Sequence, residues 1–113
     1  MKIKKEKRND VIVCTLAGEI NIDTVPQLKI VFKDILDHKS RKVLLNFKEV
    51  EYIDSLGVAS LIEFLKKMKD IDGTVFLSDM SPKVRTIFGI IKLENVFKIY
   101  NTEEEALREF GGY

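Results

Sequence analysis

Short runs rich in β-branched residues alternate along this chain with stretches whose apolar residues recur at helical spacing, and that alternation constrains the fold more than any other feature. Val11-Ile12-Val13-Cys14-Thr15-Leu16 follows a turn signal at Asn9-Asp10 and reads as a strand. A loop from Gly18 to Asp23 leads to Thr24-Val25-Pro26-Gln27, which reads as a helix start: a Thr cap, Pro in the first turn, and Gln three residues after the cap. Leu28, Val31, Phe32, Ile35 and Leu36 then share one face, and His38 to Lys42 is a polar break. Val43-Leu44-Leu45-Asn46-Phe47 is apolar without clean alternation, the pattern of a parallel strand covered on both faces.

A second helix is expected after Ile53-Asp54-Ser55, with Val58, Leu61, Ile62, Leu65 and Met68 on one face and Gly73 as its C-terminal cap. Thr74–Ser78 reads as a strand, and Ser81-Pro82 opens a third helix with Val84, Ile87, Phe88 and Ile91 turned inward. Val96–Tyr100 is the final strand, and Thr102 with Glu105 forms a capping box for a last helix carrying Ala106, Leu107 and Phe110. The lysine-rich opening, Lys4-Lys5-Glu6-Lys7-Arg8, fits a solvated edge strand or a frayed arm. Right-handed crossovers limit such a chain to an α/β fold: a mixed, mostly parallel sheet with about four packed helices and one antiparallel strand pair at its start.

Composition narrows the function. With 113 residues, no linker-like stretch and 45% apolar residues, the chain has material for one domain with a packed core. Lys plus Arg number 19 against 18 for Asp plus Glu, which leaves no general electrostatic footprint for nucleic acid. The single cysteine, Cys14, suits a reducing compartment, and no apolar run is long enough to span a bilayer. The first residues lack the apolar stretch of a secretory signal. A soluble cytoplasmic protein without membrane insertion is the expectation.

Ordinary catalysis finds little support. One His and one Cys cannot supply the usual metal ligands, and neither a phosphate-binding glycine loop nor a dinucleotide fingerprint is present. Ser55 has no glycine two residues before it, and His38, in a polar break, is the only available imidazole base. No cofactor is expected. Ser55 nonetheless stands out, between a loop and a helix in Tyr52-Ile53-Asp54-Ser55-Leu56-Gly57-Val58. From the residues alone, Asp54 or Ser55 caps the helix and Gly57 permits close packing. The same position also suits a covalent switch, because a phosphate there adds about −1.5 to −2 charges at a helix N-terminus that stabilises them.

Several segments, in order, give the chain a resemblance to the STAS domains, named for sulphate transporters and anti-sigma factor antagonists. They are Leu16-Ala17-Gly18-Glu19-Ile20, Val43–Phe47 leading through Val50 to Ile53-Asp54-Ser55-Leu56-Gly57-Val58, Ser81-Pro82-Lys83-Val84, and Leu93 with Val96–Tyr100. The likeness runs along nearly the whole chain and implies a single STAS domain over residues 1–113. It leans toward the free-standing bacterial antagonists, and so implies binding to an anti-sigma factor of the serine-kinase type, release of a sigma factor, and no catalysis by the chain itself. It further implies phosphorylation of Ser55 by that kinase and removal of the phosphate by a PP2C-type phosphatase.

The expected contact surface comprises Asn21, Ile22, Asp23, Asp54, Leu56, Gly57 and Val58, with core packing the competing role for Val58. Many antagonists carry aspartate where this chain has Asn21, which keeps the size and a carbonyl acceptor without the charge; Asp23 follows two residues on. Turn chemistry is the simpler account of both. Two other tasks suit the same sequence: a STAS subunit of a signalling complex or ABC-type transporter, or a nucleotide-binding protein.

Overall fold

The computed structural model of the protein describes residues 1–111, apart from the side chain of Glu94, so the domain limit expected at residue 113 lies outside them. In chain order the elements are β1 (Lys2–Arg8), β2 (Val11–Ile20), α1 (Val25–Asp37), β3 (Lys42–Ile53), α2 (Ser55–Asp70), β4 (Thr74–Ser78), α3 (Pro82–Ile90), a 3-10 turn (Leu93–Asn95), β5 (Lys98–Tyr100) and α4 (Glu103–Glu109). The five strands lie side by side in the order β1-β2-β3-β4-β5. β1 runs antiparallel to β2, from Lys2 opposite Ala17 to Arg8 opposite Val11, and the other three pairings are parallel. The lysine-rich opening is thus an edge strand, as one of its two readings had it.

Sequential strand order has a consequence for the helices. Successive right-handed crossovers that all step the same way place their helices on one face of a sheet. Val43, Leu45 and Phe47 of β3 accordingly point into one large core with Leu28 and Phe32 of α1, Leu61 and Phe64 of α2, and Val84 and Phe88 of α3. Leu44 points the other way, into a smaller cluster with Val11, Val13 and the Ala106 and Leu107 pair of α4. Alternate residues of one strand thereby serve two cores, which is why Val43–Phe47 shows no polar alternation. Phe32 and Phe64 stack with centroids 3.9 Å apart and planes 4° from parallel, joining α1 to α2.

Some local expectations change. Thr24 does not cap α1 through its side chain; its Oγ1 accepts from Asn21 N–H at 2.9 Å and donates to the Glu19 carbonyl at 2.8 Å, while Gln27 donates to the Met1 carbonyl. At the end of α2 the left-handed residue is Asp72 (φ 57°), not Gly73. Gly73 sits in a crowded place instead: a Cβ there would lie 2.6 Å from Met68 Cε and 3.0 Å from the Met68 carbonyl oxygen, so Met68 would have to shift. The last strand is shorter than expected, because Val96 and Phe97 follow a 3-10 turn. Half of the expected capping box forms at α4: Thr102 Oγ1 accepts from Glu105 N–H at 3.2 Å, and among the described residues the Glu105 carboxylate makes no return bond to Thr102 N–H.

The largest departure positions the site. β3 extends well past Phe47: β4 pairs with it only as far as Asn46, whereas β2 accompanies it to Ile53. The pairing slips between Thr15 and Ala17 and again between Gly18 and Glu19, where Gly18 takes φ 101°. These irregularities carry the ends of β2 and β3 beyond β4 together, at the end of the sheet where open α/β folds bind their ligands.

Candidate functional site around Ser55

The chain leaves β3 at Ile53 and enters α2 at Ser55, with Asp54 as the single residue between. Asp54 has extended backbone (φ −95°, ψ 179°) and its Oδ1 accepts from Gly57 N–H at 2.8 Å, a helix N-cap. Its second oxygen, Oδ2, accepts from Ile22 N–H at 3.1 Å, across the gap to the loop between β2 and α1. The Asp54 N–H completes the tie by donating to the Ile20 carbonyl at 3.0 Å. One carboxylate therefore caps a helix and pins a neighbouring loop, so the two segments are held as one surface.

That loop is ordered from within. Asn21 Oδ1 accepts from Asp23 N–H at 2.9 Å and from Thr24 N–H at 3.2 Å, an Asx turn. Asn21 is half-buried, and its carbonyl oxygen is spent on this turn. The turn needs an acceptor, not a charge, so asparagine serves it as well as aspartate. Asp23 and Ile22 project outward, Ile22 being 67% exposed.

Because Asp54 performs the capping, Ser55 is released from it. Ser55 is exposed in the first turn of the 16-residue α2, and its hydroxyl makes no hydrogen bond among the described residues. Leu56 beside it is 42% exposed. Gly57 and Val58 stand differently from the contact surface expected of them. Gly57 is buried where a Cβ would come 2.7 Å from Ile20 Cγ2, 2.8 Å from Ile53 Cγ1 and 3.0 Å from the Ile20 carbonyl, so glycine lets α2 begin directly against the sheet. Val58 is 7% exposed and belongs to the main core. The accessible members of the expected contact set are Ile22, Asp23 and Leu56, beside Ser55, with Asn21 and Asp54 half-buried behind them.

The sequence did not assign Tyr52, which precedes the site on β3, is 38% exposed and lies with its ring 5.6 Å from Lys83 Nζ at the start of α3. Nor did it place Ile87, Ile91 and Leu93 beside Ser55, where they line an open cleft with Tyr52. The available signal was an apolar face of four positions, Val84, Ile87, Phe88 and Ile91, of which the nine-residue helix buries only Val84 and Phe88. Cys14 lies elsewhere, in the core, with its thiol pushed up to about 12 by burial, so it is inert as a nucleophile. Among the described residues no group of three His, Cys, Asp or Glu side chains could hold a metal ion, and no helix is long and apolar enough to cross a membrane.

Asp54→Ala is expected to cost about 1–3 kcal/mol, the sum of a lost cap and an abandoned Ile22 N–H. Urea unfolding measures the loss, and amide hydrogen exchange locates it: the Ile22 and Gly57 amides should exchange faster than in wild type. Unchanged exchange at both would mean that the carboxylate does not hold the loop.

The chain is similar to known proteins. The sequence model of the STAS domain matches residues 2–106. A proposed anti-sigma factor antagonist of Thermotoga neapolitana is 32% identical over 104 residues, 91% of this chain and 92% of its own. The anti-sigma-B factor antagonist of Staphylococcus aureus is 25% identical over 84 residues, covering 74% of this chain and 78% of the relative. Among solved structures, a proposed anti-sigma factor antagonist from Thermotoga maritima superposes with a TM-score of 0.89 at 28% identity, covering 95% of this chain and 92% of that one.

Proposed function

Since the chain belongs to the STAS domain family, we propose that it is an anti-sigma factor antagonist, a single cytoplasmic domain that binds an anti-sigma factor of the serine-kinase type and thereby releases a sigma factor. Phosphorylation of Ser55 by that kinase switches the binding off, and a PP2C-type phosphatase restores it. The protein is a binder and a substrate, with no catalysis of its own. The observation that carries this reading is the division of labour at the start of α2: Asp54 caps the helix, and the neighbouring hydroxyl is left exposed and unbonded. The relatives' names supply the class of partner.

Docking uses the exposed apolar side chains on either side of the serine, Ile22 and Leu56. Attached phosphate would occupy that surface with a charge that resists desolvation. It would also stand next to the Asp54 carboxylate, which is committed to two backbone N–H groups and cannot turn away. The α2 N-terminus tolerates the new charge, so the fold persists while the surface changes.

Incubation with ATP and the cognate kinase is expected to add one phosphate per chain, detected by intact mass, and Ser55→Ala is expected to add none. Modification of Ser55→Ala to the same extent would reject the site.

A further inference from the structure

The apolar face of α3 divides in two. Val84 and Phe88 enter the core, whereas Ile87 is half-buried and Ile91, just past the helix, is 45% exposed. With Leu93 these two line an open cleft of about 340 Å³, to which β3 and α2 contribute Tyr52, Val58 and Ile62. Ser55 lines the same cleft. A partner that docks over Ser55 and reaches across to Tyr52 and Ile91 covers this opening as well. Were nothing inserted, the interface would close over an apolar void, forfeiting dispersion contacts on every side.

The chemistry of the lining selects the guest. Among the described lining residues Asp54 is the only charged one, and each of its oxygens already accepts a backbone N–H, from Gly57 and from Ile22. An anionic guest would be repelled by that carboxylate, and a cationic one would exchange its hydration for a single carboxylate already engaged by two N–H groups, in a lining otherwise uncharged. We propose that the cleft receives an uncharged apolar side chain, aliphatic or aromatic, presented by the anti-sigma factor that docks over Ser55. This rests on the docking reading above and adds the chemistry its partner must carry. Anchors of this kind, seated in a pocket beside near-neutral contacts, hold most of the binding energy in protein interfaces.

The test titrates each anti-sigma factor of the serine-kinase type from the source genome, purified singly, against wild type, Ser55→Asp, Ile91→Lys, Ile91→Leu and Ile30→Lys. Ile30 is an equally apolar control, exposed on α1 outside the cleft. Ile91→Lys is expected to weaken binding about tenfold or more, with Ile91→Leu within about threefold of wild type and Ile30→Lys unchanged. In wild type, the δ1-methyl resonances of Ile87 and Ile91 should shift on binding and that of Ile30 should not, a readout independent of whether any variant folds.

Undiminished binding by Ile91→Lys, alongside loss in Ser55→Asp, overturns the cleft and leaves the switch standing. The converse pattern upholds the cleft and leaves the switch to be judged with phosphorylated protein. Binding of no anti-sigma factor by wild type overturns both. A wild-type dimer that Ile91→Lys makes monomeric assigns the cleft to a second copy. Methyl shifts with decanoate, together with partner binding indifferent to Ile91→Lys, assign it to a small apolar ligand. Either result also overturns the proposal.

Discussion

Protein phosphorylated on Ser55 is expected to bind its anti-sigma factor at least about a hundredfold more weakly than unmodified protein, which corresponds to a penalty of roughly 3 kcal/mol. The argument is local. The hydroxyl stands free in the first turn of α2, beside a carboxylate anchored to Gly57 and Ile22, so a docked partner must bury the phosphate next to a fixed negative charge. The same charge lies at a helix N-terminus, where it adds stability of about 0.3–1 kcal/mol. That gain offsets the repulsion from Asp54 in the free protein, so affinity should fall while the melting temperature changes little. Titration calorimetry with stoichiometrically phosphorylated protein, beside thermal melts of both forms, checks the two halves. Affinity that falls less than threefold would mean that the partner docks elsewhere; a large drop in melting temperature would mean that phosphate acts by unfolding.

Phe64→Ala is expected to remove about 3–5 kcal/mol of stability. Phe64 is fully enclosed and stacks on Phe32, so truncation loses both the transfer free energy of the ring and its contact with α1, and the cavity left has rigid walls. Against a total of about 5–15 kcal/mol for a small domain, that is a large share. Urea denaturation should show a lower midpoint with an unchanged slope. Partner binding measured well below the midpoint should stay near wild type, because the variant leaves the exposed surface intact. A loss under about 1 kcal/mol would indicate that the helices repack around the gap.

The core was legible in the sequence for a simple reason. Periodicity reports which side of an element is dry, and most of the side chains read as inward in α1 and α2 are buried. Boundaries were less legible where tertiary contact sets them. The extension of β3 from Phe47 to Ile53 passes through Lys48, Glu49 and Glu51, which no strand propensity favours; β2 holds it there by backbone pairing. Thr24 has the composition of a helix cap, yet its hydroxyl closes the preceding loop. Gly73 looked like the left-handed residue after α2, but Asp72 takes that conformation and Gly73 answers to the Met68 side chain.

At the site, the motif Asp54-Ser55-Leu56-Gly57 identified the place but left open which residue capped and which was free. Either side chain is chemically able to cap a helix. Asp54 takes the cap, and its second oxygen reaches Ile22, 32 positions away in the chain, a partner that no local rule names. Gly57 and Val58, adjacent to the serine in sequence, turn inward, while Tyr52 and Ile91 gather beside it.

The alternation of strand and helix, the handedness of their connections, the two-sided burial of β3 and the position of the serine all followed from the order of residues, since each depends on local period and chain chirality. Which side chains share the surface around that serine, which carboxylate is committed and which apolar residues stay open to a partner were decided by packing. Such contacts depend on distances between segments far apart in the chain, which no local pattern encodes.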